Sequence, residues 1–115
     1  MAIEYKTKLL GENVIVYLYT TSFISDKVGW AGGYAGSWAK PLVLTTIDGG
    51  TNWKLHQVPG NEIVTSSLLV DELHGWVVGT KGLIARTDDF GNTWTIQKSD
   101  IKKNLYAIHF PQPWK

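Results

Sequence analysis

Two aspartates, Asp48 and Asp89, hold equivalent places in a motif that occurs twice: Thr46-Ile47-Asp48-Gly49-Gly50-Thr51-Asn52-Trp53 and Thr87-Asp88-Asp89-Phe90-Gly91-Asn92-Thr93-Trp94. Both fit Thr-x-Asp-x-Gly-x-x-Trp. A pair of carboxylates facing one bond is the minimal equipment of a glycoside hydrolase, with one as acid and the other as base or nucleophile. One aspartate per repeat, at matching positions, is a poor way to converge two groups on a single bond. A local role fits better: a carboxylate just past a strand accepts hydrogen bonds from the N–H groups of its own tight loop, and the glycine takes a backbone conformation that other residues resist. On that reading Thr46, Asp48, Gly50 and Trp53, and likewise Thr87, Asp89, Gly91 and Trp94, are structural. The indole rings fill space against neighbouring elements while each N–H is expected to find an acceptor.

Other chemistry-bearing residues are sparse. Arg86 is the single arginine, so the chain by itself cannot build the guanidinium cluster that grips a substrate carboxylate in planar, bidentate fashion. His56, His74 and His109 fall in different parts of the chain without metal-ligand spacing. Ser66-Ser67 and Thr45-Thr46 have no base tied to them, and no glycine-rich loop opens a helix that would cradle a phosphate. No catalytic residue, metal or cofactor is expected, and the chain is read as a non-enzyme.

These residues must be positioned by a small fold. At 115 residues the chain has room for one domain with a real core, and a hydrophobic fraction of 43% with 18% charged residues is that of a globular chain rather than a disordered one. Formal net charge is +1, so no bulk field draws the molecule to nucleic acid or to an anionic membrane. No stretch approaches the run of about 20 apolar residues that spans a bilayer, and no basic region leads into an apolar run near Met1. A cytoplasmic location is the default expectation. Without cysteine, the fold holds by packing alone.

The organising feature is a repeat. Ser22-Phe23-Ile24-Ser25-Asp26-Lys27-Val28-Gly29-Trp30 aligns with Leu68-Leu69-Val70-Asp71-Glu72-Leu73-His74-Gly75-Trp76, and the two Thr-x-Asp motifs follow in phase. The extra residues of the first unit fall around Ser37-Trp38-Ala39-Lys40-Pro41, read as a loop. Short β-rich runs separated by turn residues predict four antiparallel strands per unit. In the first unit they run roughly over 14–24, 29–34, 42–46 and 52–58, and in the second over 63–70, 75–80, 83–87 and 93–97. Four strands per period of roughly forty residues is the arithmetic of a propeller blade. The fold class is all-β: blade 1 at about 14–58 and blade 2 at about 63–98 in a single domain. A partial repeat at 3–10 is expected to be the outer strand of a preceding blade, and one at 104–110 the inner strand of a following blade.

The two motifs resemble the Asp-box, or bacterial neuraminidase repeat. The run from Gly75 through Trp94 looks like a blade of the photosystem II assembly and stability factor family. That resemblance implies a propeller that binds other proteins and performs no chemistry. Two blades and fractions cannot close a ring, and exposed edges and blade faces seek partners, so a homo-oligomer completing the ring is expected.

Sites of binding are sought where the units differ, because packing explains what they share. The first unit's longer loop carries Tyr34 and Trp38, which would contact a protein or a sugar ring. Lys81 and Arg86 resemble basic positions of the family's blades, and Trp76 is a further stacking platform. The leading reading is a non-catalytic binding or scaffold module. The alternative is a lectin with glycan sites between blades, and behind it stands a sialidase-like glycosidase, which the single arginine disfavours.

Overall fold

The computed structural model describes residues 3–9, 12–36 and 40–97, with side chains from Ile15 onward. Trp38 and the segment 104–110 lie outside the described residues. Among the described residues nine strands occur in order: β1 (Ile3–Leu9), β2 (Glu12–Phe23), β3 (Gly29–Ala35), β4 (Lys40–Thr46), β5 (Lys54–Gln57), β6 (Val64–Leu69), β7 (Gly75–Gly79), β8 (Ile84–Thr87) and β9 (Thr95–Ile96). They form two antiparallel meanders, β1-β2-β3-β4-β5 and β6-β7-β8-β9. The fold is therefore all-β, built of propeller-like blades. The eight strands expected of the two units are present, with Lys40 and Pro41 belonging to β4 rather than to the preceding loop.

The first strand is placed differently from the expectation. Residues 3–9 do not stand apart as the outer strand of another blade. They pair antiparallel with β2, from Ile3 opposite Leu18 to Leu9 opposite Glu12. Only two residues separate Leu9 from Glu12, and so short a connection joins neighbouring antiparallel strands. The true step between blades, from Gln57 to Val64, is longer.

The repeat seen in the sequence is a repeat of conformation. Each inner strand carries a register shift at the same place, between Leu18 and Thr20 in β2 and between Val64 and Ser66 in β6. Such bulges increase local twist. Each turn after the inner strand is closed by a side chain at the matching position: the Ser25 hydroxyl accepts from the N–H groups of Lys27 and Val28, and the Asp71 carboxylate from those of Leu73 and His74.

The sheets stack face to face, with β6 lying across β2 and β3. Strand alternation sends Trp30 and Val43 toward the second sheet, where they meet Val58, Val64, Leu69, Val77, Leu83 and Ala85 in one cluster, flanked by Phe90 and Trp94. Trp30 is the pivot of this interface, being 0% exposed. Burying a tryptophan removes roughly 200 Å² from water, about 5 kcal/mol at ~25 cal/mol per Å². Its ring lies 5.6 Å from that of Trp94 and its Nε1 donates to the Ser67 hydroxyl at 3.0 Å. Gly75 makes the space: a Cβ there would sit 2.2 Å from Trp30 Cη2. The Gly-Trp pair thus has a division of labour, the tryptophan of one blade resting on the glycine of the next. Two further bonds stitch the blades, Thr20 Oγ1 with Ser67 Oγ at 3.0 Å and Leu69 N–H to Ser22 Oγ at 2.9 Å.

The opposite face of the first sheet carries Val16, Leu18, Ala31, Ala35, Leu42 and Leu44, all buried within a single copy of the chain. Trp53 and Leu55 pack against it.

Candidate functional site

Both Thr-x-Asp motifs fold into the same loop at the same end of their blades. In the first, Thr46 Oγ1 donates to Asp48 Oδ1 at 2.8 Å and accepts from the N–H groups of Asp48 and Gly50. Asp48 Oδ1 also accepts from Asn52 N–H, and its Oδ2 from Asn52 Nδ2, both at 2.9 Å. In the second, Thr87 donates to Asp89 Oδ1 at 2.8 Å and accepts from the N–H groups of Asp89 and Gly91. Thr93 supplies an N–H to Oδ1 at 2.8 Å and a hydroxyl to Oδ2 at 2.5 Å. These donors favour the ionised carboxyl. Asp48 is lowered to about 2, chiefly by the Asn52 N–H, then by the Asn52 side chain and the Thr46 hydroxyl. For Asp89 partial burial pushes upward, and the Thr93 hydroxyl and N–H with the Thr87 hydroxyl outweigh it, so its pKa is lowered overall. Each carboxylate accepts three hydrogen bonds inside its own loop, which is the geometry of a structural lock.

The left-handed backbone at these corners separates the two loops. Gly49 and Gly50 have φ of +71° and +95°, while the second loop places Phe90 at +57° followed by Gly91 at +89°. A non-glycine residue there costs about 1–2 kcal/mol, and the packing of Phe90 against the inter-blade cluster offsets it. Each loop is tied to the turn beside it, Gly49 N–H to Lys27 O and Phe90 N–H to Leu73 O, both at 2.9 Å.

Where the two loops meet, a cleft of about 350 Å³ opens between the blades. Thr45 and His56 lie at its base, with His56 Nε2 and Thr45 Oγ1 2.8 Å apart and both residues buried. Burial, followed by the nearby Lys54 charge, lowers the His56 pKa. The walls are Ile47, Asp48, Asn52, Trp53 and Lys54 from blade 1, and Phe90 and Asn92 from blade 2. Lys54 Nζ donates across the gap to Asn92 Oδ1 at 3.3 Å.

The same end is unusually apolar on its surface. Ile47 is 72% exposed and Leu73 52%, and Phe23 and Ile24 are exposed beside them. Ile24 and Leu73 line one shallow depression, the Phe23 ring meets Trp53 edge-on at 6.4 Å, and Trp53 joins Ile47 in the cleft. Exposed apolar side chains of both blades thus gather at this end.

The residues singled out in the sequence are spread over other places. Tyr34, near the opposite end of β3, stacks on Tyr17 at 5.3 Å and on Tyr19 at 5.9 Å, so its ring is engaged within its own sheet. Lys81 is exposed in the tight turn between β7 and β8, with φ of +55°. Arg86 and Trp76 do come together: the guanidinium lies over the indole, 5.6 Å from its centre, and Nε donates to Asp88 Oδ1 at 2.9 Å. His74 adds its Nε2 at 3.8 Å from the same Asp88 oxygen, with Nδ1 on Asp71. Trp94 departs from expectation, because its Nε1 is buried with no acceptor among the described residues. Among the described residues no group of three His, Cys, Asp or Glu is placed to hold a metal ion.

Apart from the motif residues Thr46, Asp48 and Trp53, the cleft residues do not stand out in the sequence by type, although the rule of looking where the units differ reaches them. Aligned on the motif, Lys54 stands opposite Thr95, His56 opposite Gln97, Phe90 opposite Gly49 and Asn92 opposite Thr51.

No family model and no curated protein sequence matches the chain. Among solved structures it is similar to one described as YCF48 bound to D1 peptide, with a TM-score of 0.62 and 22% identity. The match covers 84% of this chain and 30% of that one. The likeness is one of fold, and that neighbour is a β-propeller.

Proposed function

We propose that this chain is a non-catalytic, propeller-type module that binds another protein through the end of the blades carrying the two Thr-x-Asp loops. The observation behind the proposal is the gathering of exposed apolar side chains at that end, Phe23, Ile24, Ile47 and Leu73, of which Ile47 also lines the inter-blade cleft. Soluble chains rarely leave contiguous apolar surface open without a partner for it. The resemblance to the photosystem II assembly and stability factor family points to protein binding, and the solved propeller YCF48 was captured with a peptide. A non-catalytic role is supported by the two carboxylates that an enzyme would need, since both are consumed by their own loops.

Self-association belongs to the same proposal through the surfaces still open. The face of blade 1 that a preceding blade would cover is already buried within one chain, leaving the exposed apolar side chains of the loop end. Light scattering over a range of concentrations reads this part directly. A monomer at all concentrations removes it.

The binding proposal is tested by panning a displayed random-peptide library on the purified chain and counter-screening with an Ile47→Ser, Leu73→Ser double variant. Enriched peptides that the variant loses support it. Absence of enrichment, together with binding on a glycan array or hydrolysis of a fluorogenic sialoside, would replace it with the lectin or glycosidase reading.

A further inference from the structure

The inter-blade cleft has a chemistry of its own, and the ligand assigned to it below rests on the protein-binding proposal. Beside the motif residues Thr46, Asp48 and Trp53, its lining holds Lys54, His56, Phe90 and Asn92, at positions where the two repeats differ. Lys54 is the cationic group in it. Among the described residues it has no carboxylate partner, and its hydrogen bond is a long one, 3.3 Å, to the neutral amide of Asn92. Asp48 also faces the cleft, but its two oxygens already accept three hydrogen bonds from Thr46 and Asn52. The ammonium therefore keeps donors for an incoming acceptor.

The other polar groups are committed. Asn52 Nδ2 serves Asp48, Asn92 Nδ2 serves the Asp89 carbonyl, and the Gly50 and Asn52 N–H groups close the loop. Those two backbone donors are therefore not offered to a phosphate. Trp53, Phe90 and the exposed Ile47 supply apolar walls beside the charge. A volume of about 350 Å³ is at the small end of ligand pockets, which run ~300–1,000 Å³, and suits one or two side chains.

We infer that this cleft receives an acidic side chain of a peptide partner on Lys54, with an adjoining aromatic side chain seated against Trp53, Phe90 and Ile47. The occupant is thus a peptide in which glutamate or aspartate neighbours phenylalanine, tyrosine or tryptophan.

The test is fluorescence anisotropy with fluorescein-labelled Gly-Ser-Glu-Phe-Gly-Ser, its glutamine counterpart and its lysine counterpart. The glutamate peptide should bind about 5-fold tighter than the glutamine peptide, the effect of one partly exposed ion pair, and the lysine peptide more weakly still. Lys54→Glu should reverse the order. Phe90→Gly, which places glycine where blade 1 has Gly49, should keep the fold and weaken all three. Equal binding of the glutamate and glutamine peptides, or an order that Lys54→Glu leaves unchanged, overturns the inference. Should none of the three bind while panned peptides still depend on Ile47 and Leu73, the acidic-peptide inference fails and the protein-binding proposal stands. Loss of both brings down the two together.

Discussion

Replacing Thr87 by valine should destabilise the chain far more than replacing Thr46 by valine, although the two threonines hold the same place in the same motif. Valine keeps the shape and the stiff β-branched χ1, so the change removes hydroxyl chemistry and little else. Each threonine donates to its aspartate and accepts from two backbone N–H groups. Losing the bond to a carboxylate costs about 1.5 kcal/mol at an exposed loop, the low end of the range for charged partners. The difference comes from the N–H two residues past the aspartate. Gly50 is half-exposed and water replaces the lost acceptor, whereas Gly91 is buried, so near His56 that a Cβ would come within 3.4 Å of that ring. An orphaned buried N–H costs a further 1–3 kcal/mol, roughly. Thr46→Val should therefore cost about 1.5 kcal/mol and Thr87→Val about 3–4 kcal/mol. In urea unfolding followed by tryptophan fluorescence, a gap of about 2 kcal/mol at an m-value of about 2 kcal/mol/M separates the two midpoints by ~1 M. Equal midpoints would refute the argument that the second loop is sealed by the neighbouring blade.

Gly75→Ala should cost about 2 kcal/mol or more, because its Cβ would lie 2.2 Å from Trp30 Cη2. Trp30→Phe should relieve part of that loss in a double-mutant cycle, and strictly additive effects would deny the contact. Trp30→Ala, at a fully buried site, should cost about 3–5 kcal/mol; a midpoint close to the parent's would contradict the placement of Trp30 at the interface. Acid should destabilise in two separate ranges. His56 has a folded pKa below its ordinary 6.5, so its contribution is whole above about 6.5 and declines as pH falls toward the folded value. Asp48, at about 2 against 3.8 unfolded, contributes fully above about 4 and loses that contribution as pH falls through 2. In a series of urea midpoints against pH, His56→Gln should flatten the upper range, and Asp48→Asn should reduce the lower one, to which the lowered Asp89 and Asp71 also contribute. An upper range that persists in His56→Gln would assign it to another group.

Some features are legible in the sequence because they are decided within a few residues. Ser25 and Asp71 close their turns with bonds two or three residues away, and Thr46 with Asp48 closes its loop within seven. Strand positions follow from these turns and from alternation. The pairing of β1 is also local, since a two-residue connection implies it, but a repeat of four strands per unit has no place for a fifth and points the segment elsewhere. Tyr34 illustrates the opposite case. Its position beside a long loop suggests a free ring, and only the register of β2 with β3, which sets Tyr17 opposite Tyr34, brings the rings into a stack.

By itself the sequence determined that this is an all-β fold of propeller-like blades and roughly where its strands fall. Those properties arise from turn chemistry and a two-residue period, which need no knowledge of distant parts of the chain. Tertiary structure alone decided that Trp30 rests on Gly75, that the loops of two blades share one cleft, and that Lys54 reaches Asn92 across it. Contacts between blades join residues some forty positions apart, and which side chains meet there depends on how two twisted sheets are stacked, a relation that no local pattern encodes.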